Sequence, residues 1–269
     1  MTTHSPYIVS KRPDAKVFSL TKAHNGGTRL ADQASGDEPH AKILGGLFRD
    51  RMFGEWIDRS RHIPPDARLV LVVEGATDQA FAELALVRAG RAELLDGIHF
   101  VLAGMGQAEG AGGAALAAAQ ALLMRAVTTV PVAALFDNDE PGKEAANTLR
   151  KIRQHTGDWQ EKRQLFSYRH VFKGPKDFAY EAEDLWPDRL LEAFLQVDGN
   201  DRFDGGKWPR PKPEGGFQYH VQAAGKRELV EYLERTVTAT DCSEWVSLYE
   251  LIRGGSGLAV ESPDRAGSD

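Results

Sequence analysis

A single cysteine, Cys242, in 269 residues leaves no partner for an internal disulfide and no set of thiolates for a structural zinc site. Long apolar runs are missing too. Leu69–Val73, Ala114–Met124 and Val130–Phe136 all fall short of the roughly 18 to 20 residues that cross a bilayer, so no membrane span or membrane partner is expected. Residues Met1 to Lys11 are polar and lack the apolar stretch and small-residue cleavage site of a secretion signal, which makes a cytoplasmic protein the simplest reading. The histidines form no His-Glu-x-x-His or other dense ligand pattern. A phosphate-binding Gly-x-x-x-x-Gly-Lys-Ser/Thr loop is absent as well. Gly225-Lys226 is followed by Arg227, and His220 stands where its first glycine belongs. The formal net charge of −6 argues against a non-specific nucleic-acid coat, which needs cations to meet phosphates. Acidic residues gathered around bound divalent ions would reverse that sign locally.

What the chain does contain is a globular composition, 42% hydrophobic and 27% charged, sufficient for one large or two small domains. Residues 1–65 read as a loose arm followed by a helix from about Ala41 to Ser60, which the Pro64–Pro65 pair ends. Between residues 66 and 178, short β-branched runs alternate with helical patterns. Leu69–Val73 suits a strand buried on both faces, Gly97–Leu102 and Val130–Phe136 read as a second and a third strand, and Phe166–Phe172 suits one more. Helices are expected after Thr77 or Asp78, over Ala114–Ala126 and over Glu144–His155. This alternation predicts an α/β fold, a Rossmann-like parallel sheet flanked by helices, with ligands beyond the carboxyl ends of the strands. Residues 179–253 read as a helical extension, with helices over Asp184–Leu195, Lys226–Thr236 and Trp245–Ile252. Residues 254–269 have the composition of a disordered tail.

Two acidic clusters stand at predicted strand ends: Glu74-Gly75-Ala76-Thr77-Asp78 and Asp137-Asn138-Asp139-Glu140-Pro141-Gly142. A carboxylate ending a buried strand is costly unless paired or bound to a cation, so two converging on one edge point to a hard, oxygen-ligated metal such as Mg2+. Gly75 and Gly142 would let the backbone turn tightly away from the ligands. On the plainer alternative, Asp78, Asp137 and Asp139 are helix caps and turn formers.

Taken together, the two clusters resemble the topoisomerase–primase (TOPRIM) domain, which carries Glu-Gly after its first strand and Asp-x-Asp-x-x-Gly after a later one. The matching residues are Glu74-Gly75 and Asp137-x-Asp139-x-x-Gly142, and the resemblance spans roughly Asp66 to Arg153. Asp78 and the later Glu181-x-Glu183 extend it to the nuclease part of the OLD (overcoming-lysogenization-defect) family, in which such a domain accompanies an ATPase. The resemblance implies a metal-dependent DNA endonuclease using two Mg2+ or Mn2+ ions. By it, Glu74, Asp78, Asp137, Asp139, Glu181 and Glu183 are metal ligands, and Glu74, Asp137, Asp139 and Lys226 carry the chemistry. With the nucleotide-binding loop missing, either the enzyme works alone or the ATPase or another sensor is a separate partner; by the resemblance both arrangements fit anti-phage defence, and a homodimer is allowed.

The stretch from Arg150 to Lys176 gathers Arg150, Lys151, Arg153, Lys162, Arg163, Arg169, Lys173 and Lys176 against Asp158 and Glu161, a candidate phosphate-facing surface. Arg150, Lys151, Lys173 and Lys176 are its candidate contacts, with Trp208 and Arg210 placed to stack on and grip a strand. The glycine-rich Gly104–Gly113 segment has Gly-x-Gly-x-x-x-Gly spacing, not the dinucleotide fingerprint. Two other readings stay open: a TOPRIM ribonuclease acting on structured RNA, and a non-catalytic subunit that holds Mg2+ and nucleic acid.

Overall fold

The computed structural model describes residues 63–103, 113–152, 158–198 and 209–258, together with strands β1 (Leu20–Lys22) and β2 (Thr28–Leu30). β1 and β2 pair antiparallel, Leu20 opposite Leu30, in a small unit of their own. The helix expected near Ala41–Ser60, nearly all of the Gly104–Gly113 segment, Trp208 and the residues beyond 258 lie outside the described residues.

From Pro64 onward the chain builds an α/β layer. Strands β3 (Leu69–Val73), β4 (Ile98–Leu102), β5 (Val132–Phe136) and β6 (Leu165–Ser167) form a parallel sheet in the order β4-β3-β5-β6. β3 and β5 are buried along their whole length, as their unbroken apolar sequences require. Helices α1 (Ala76–Arg88), α2 (Ala114–Val127) and α3 (Glu140–Lys151) follow β3, β4 and β5 in turn. The chain leaves β3 toward one edge of the sheet and returns on the other side of it as β5. That reversal opens a crevice at the carboxyl ends of β3 and β5, the place where such sheets bind ligands. The register, with Val72 opposite Ala134, brings both strand ends to the same edge.

β6 is shorter than the sequence predicts. After Ser167 the backbone winds into a 3-10 turn, Tyr168–Val171, which turns the Tyr168 side chain into the core. The helix expected from Asp184 is divided: a 3-10 turn, Ala182–Leu185, precedes α4 (Asp188–Asp198). Pro187 accounts for the break, because the residue before a proline is held in extended backbone and Trp186 adopts it at φ −91°, ψ 143°. A two-residue antiparallel pair follows, β7 (Arg210–Pro211) with β8 (Phe217–Gln218), and then α5 (Ala223–Thr236) and α6 (Ser243–Ser256). α6 runs past residue 254, where a loose tail was expected. Gly257 ends it in the left-handed conformation at φ 75°, and Leu258 beyond it is buried.

The extension shares its core with the α/β layer. Phe81 of α1 stands edge-on to Trp186 and Trp245, at 5.6 and 6.0 Å between ring centres, and Tyr168 meets Trp245 at 5.9 Å. The contacts therefore join residues 66–178 and 179–253 in one unit. Among the described residues no helix is long and apolar enough to cross a membrane.

Candidate functional site

Glu74 is the first residue beyond β3 and Asp137 the first beyond β5, so the crevice holds both. They are linked directly, the Asp137 backbone N–H donating to Glu74 Oε1 at 3.0 Å. Burial pushes the Glu74 carboxyl up to about 8, with Asp78 and Asp139 adding to the effect, while the Asp137 amide and Lys226 oppose it. Burial also drives Asp137 well above the ordinary carboxyl range, reinforced by Glu74 and Asp78. Its Oδ1 is buried and accepts no hydrogen bond.

Asp78 sits one turn into α1. Its Oδ2 accepts from the Gly75 backbone N–H at 2.7 Å, so it closes the helix start while Gly75 is the capping position, where the sequence reading had placed the cap at Thr77 or Asp78. Its Oδ1 accepts from the Tyr168 hydroxyl at 2.6 Å. Burial raises its pKa despite these two donors. Asp139 caps α3, its Oδ1 accepting from the Gly142 backbone N–H at 2.8 Å. Gly142 is obligatory for spatial reasons: a Cβ there would run into the Asp137 carbonyl oxygen. Gly75 is under no such constraint. It lies in extended backbone that other residues adopt, and a Cβ would meet only Asp78 Oδ2, at 3.8 Å. The need for glycine that the sequence suggested at both positions thus holds at 142 alone.

The extension delivers the other side. Lys226, in the first turns of α5, places Nζ 2.8 Å from Glu183 Oε1, and Glu183 is almost wholly buried. Burial works against the ammonium, but Glu183, Asp137 and Asp78 outweigh it and hold its proton above the usual lysine range. Glu183 in turn raises the pKa of both Asp78 and Asp137, so the fold does bring this acid to the first cluster. Glu183 Oε2 is buried with no hydrogen-bonding donor. The Glu181 carboxylate contacts His220 Nδ1 at 3.1 Å, and that contact raises the His220 pKa.

Three participants carry no sequence signal as strong as the acids. Tyr168 follows the carboxyl end of β6, the one hint available, since strand ends of such sheets face the ligand crevice. His220 had none. Asp184 shapes the 181–185 turn: Oδ2 accepts from the Glu181 N–H at 2.8 Å and from Gln218 Nε2 at 2.6 Å, and Lys212 Nζ lies 3.5 Å from Oδ1. Burial pushes its carboxyl up to about 7.

The donors present suit a hard cation. Every candidate ligand is a carboxylate, and Asp137 Oδ1 and Glu183 Oε2 are buried acceptors without a donor. Among the described residues, however, no three acidic, histidine or cysteine side chains stand close enough to make a finished metal cage.

The basic candidates separate. Arg150 and Lys176 line one pocket with Asp137, whereas Lys151 and Lys173 are exposed and outside it. Arg210 lies over the Phe178 ring at 4.7 Å, packed on its own domain. No family model, curated protein or solved structure matches this chain.

Proposed function

We propose that the chain is a metal-dependent nuclease of the TOPRIM type, resembling the nuclease part of the OLD family, that hydrolyses DNA. The observation that supports this most is the convergence, at the ends of two adjacent parallel strands, of Glu74, Asp137 and Asp78 with the Glu183–Lys226 pair of a distant segment. Three raised carboxyl pKa values around one crevice are the mark of a site built to receive positive charge. An incomplete cage is consistent with Mg2+, which is usually bound by one or two carboxylates, with waters and substrate phosphate completing its shell.

Glu74 and Asp137, with Asp78 beside them, would hold the ion, and Glu183 with Glu181 would serve a second. Divalent metal in such a site supplies Lewis-acid polarisation of a phosphodiester and a bound water of lowered pKa. The protein's own part is positional and electrostatic. Tyr168 fixes the rotamer of Asp78, Asp139 and Gly142 fix the loop that presents Asp137, and Lys226 offers an ammonium to charge developing on the phosphate. A separate ATPase or sensor protein would then control when the site is used.

The non-catalytic reading has an observation in its favour: Lys226 already neutralises Glu183, and Asp78 already has two donors. One experiment separates the readings. Purified protein is incubated with supercoiled plasmid, linear DNA and structured RNA in Mg2+ or Mn2+, beside Glu74→Gln and Asp137→Asn. DNA cleavage that falls at least about 100-fold in both variants, the scale of losing a main electrostatic group, is the expected result. Cleavage of RNA alone selects the ribonuclease reading. Metal binding with no cleavage of any substrate selects either the non-catalytic reading or a site that its partner must license.

A further inference from the structure

Beside Asp137, on the side of α3 and β6, lies a pocket of about 290 Å³. Its volume lies just under the roughly 300–1,000 Å³ found for small-molecule sites, the scale of one small group. Phe136, Leu165 and Phe166 line it from the core side, all three almost fully buried. Its rim holds four permanent cations, Lys143, Arg150, Arg169 and Lys176, against two carboxyls, Asp137 and Glu161. The nearby His170 imidazole adds no charge at neutral pH, because burial lowers its pKa.

The cations are held in place. Asn138 donates from Nδ2 to the Lys176 carbonyl at 3.0 Å, and Lys143 Nζ donates to the Asp177 carbonyl at 2.9 Å, so the 176–178 segment is tied to the start of α3. Glu161 bridges Arg150 at 3.3 Å and Arg169 at 3.1 Å, and His170 Nε2 lies 3.0 Å from the same carboxylate. An oxyanion therefore already occupies the fork between these two guanidiniums. Glu161 is 42% exposed, and a phosphate monoester carrying about −1.5 to −2 charge attracts the pair more strongly than a single carboxylate does.

We infer that this pocket is a nucleotide subsite: Arg150, Arg169 and Lys176 take a nucleoside 5′-phosphate, displacing Glu161, and the sugar and base fill the rest of the pocket. Since Asp137 lines the pocket as well as the crevice, the occupant would be the nucleotide next to the bond that is cut. In that last respect the inference rests on the nuclease reading; the binding itself does not.

The test is calorimetric titration of thymidine 5′-monophosphate, thymidine and inorganic phosphate into the full chain in EDTA. The monophosphate should fill one site. Thymidine and inorganic phosphate should each bind at least tenfold more weakly. Arg169→Ala and Lys176→Ala should each weaken the monophosphate at least tenfold, while Arg227→Ala, on an exposed face of α5, should not. Lys176 is exposed, so its variant keeps the fold even where the loss of Arg169 disturbs it. Absence of monophosphate binding, unchanged affinity in the Lys176 variant, or equal affinity for inorganic phosphate would overturn the inference. Cleavage of DNA without monophosphate binding removes the subsite alone. Monophosphate binding with no cleavage keeps the subsite and counts against the nuclease reading alone.

Discussion

At Glu74 burial and charge pull hardest against each other. Burial outweighs the Lys226 ammonium and the Asp137 amide, so its carboxyl keeps a proton up to about pH 8, against 4.5 when exposed. The folded chain thus binds a proton that the unfolded chain releases, so stability is full below about pH 4.5 and falls as pH rises through 8. Asp78, Asp137 and Asp184 are shifted in the same direction. Denaturant titrations in EDTA should show a lower unfolding free energy at pH 8 than at pH 5, and Glu74→Gln should reduce the difference. Added Mg2+ should restore stability at pH 8, because a metal replaces the proton. An unchanged pH slope in Glu74→Gln would contradict the assignment. The acids were legible in the sequence because a carboxylate straight after an all-apolar strand has few innocent explanations. Tyr168 and His220 were not, since their contacts with Asp78 and Glu181 span 90 and 39 residues and exist only once the chain has folded.

Among the elements, the turn from β5 into α3 is the most tightly specified. Asp137 ends the strand, Asp139 caps the helix, Pro141 is accommodated in its first turn, and Gly142 passes against the Asp137 carbonyl. Gly142→Ala should cost about 1–3 kcal/mol, the usual range for forcing atoms into a packed site, and should weaken metal binding because the displaced carbonyl belongs to Asp137. Gly75→Ala should cost about 1 kcal/mol or less, its backbone being ordinary. Thermal melts and metal titrations of the two variants check the contrast. Strands and helices of the α/β layer were readable because each completes a full period of burial. β6 and α4 were misjudged at their ends, where a single side chain decides: Tyr168 drawn beneath Asp78, and Pro187 stopping the helix from starting earlier.

At the scale of the whole molecule, residues 66–178 and the extension after them are built around one core. Phe81, Tyr168, Trp186, Trp245 and Tyr249 share one apolar cluster. A chain ending at residue 178 leaves Phe81 and Tyr168 uncovered, and it should lose its cooperative thermal transition and bind an exposed-hydrophobe dye, whereas one ending at residue 258 should melt as the full chain does. A sharp, native-like transition in the shorter chain would show that the extension is dispensable to the core.

That shared architecture has a counterpart during biosynthesis. Glu74 and Asp78 leave the ribosome early, but Lys226, the ammonium that draws Glu183 to them, comes about 150 residues later, roughly 8–30 s at about 5–20 residues per second. Throughout that interval the nascent chain carries acids without their organiser. On the nuclease reading, a site assembled in this order stays incomplete until the segment that carries Lys226 has been made.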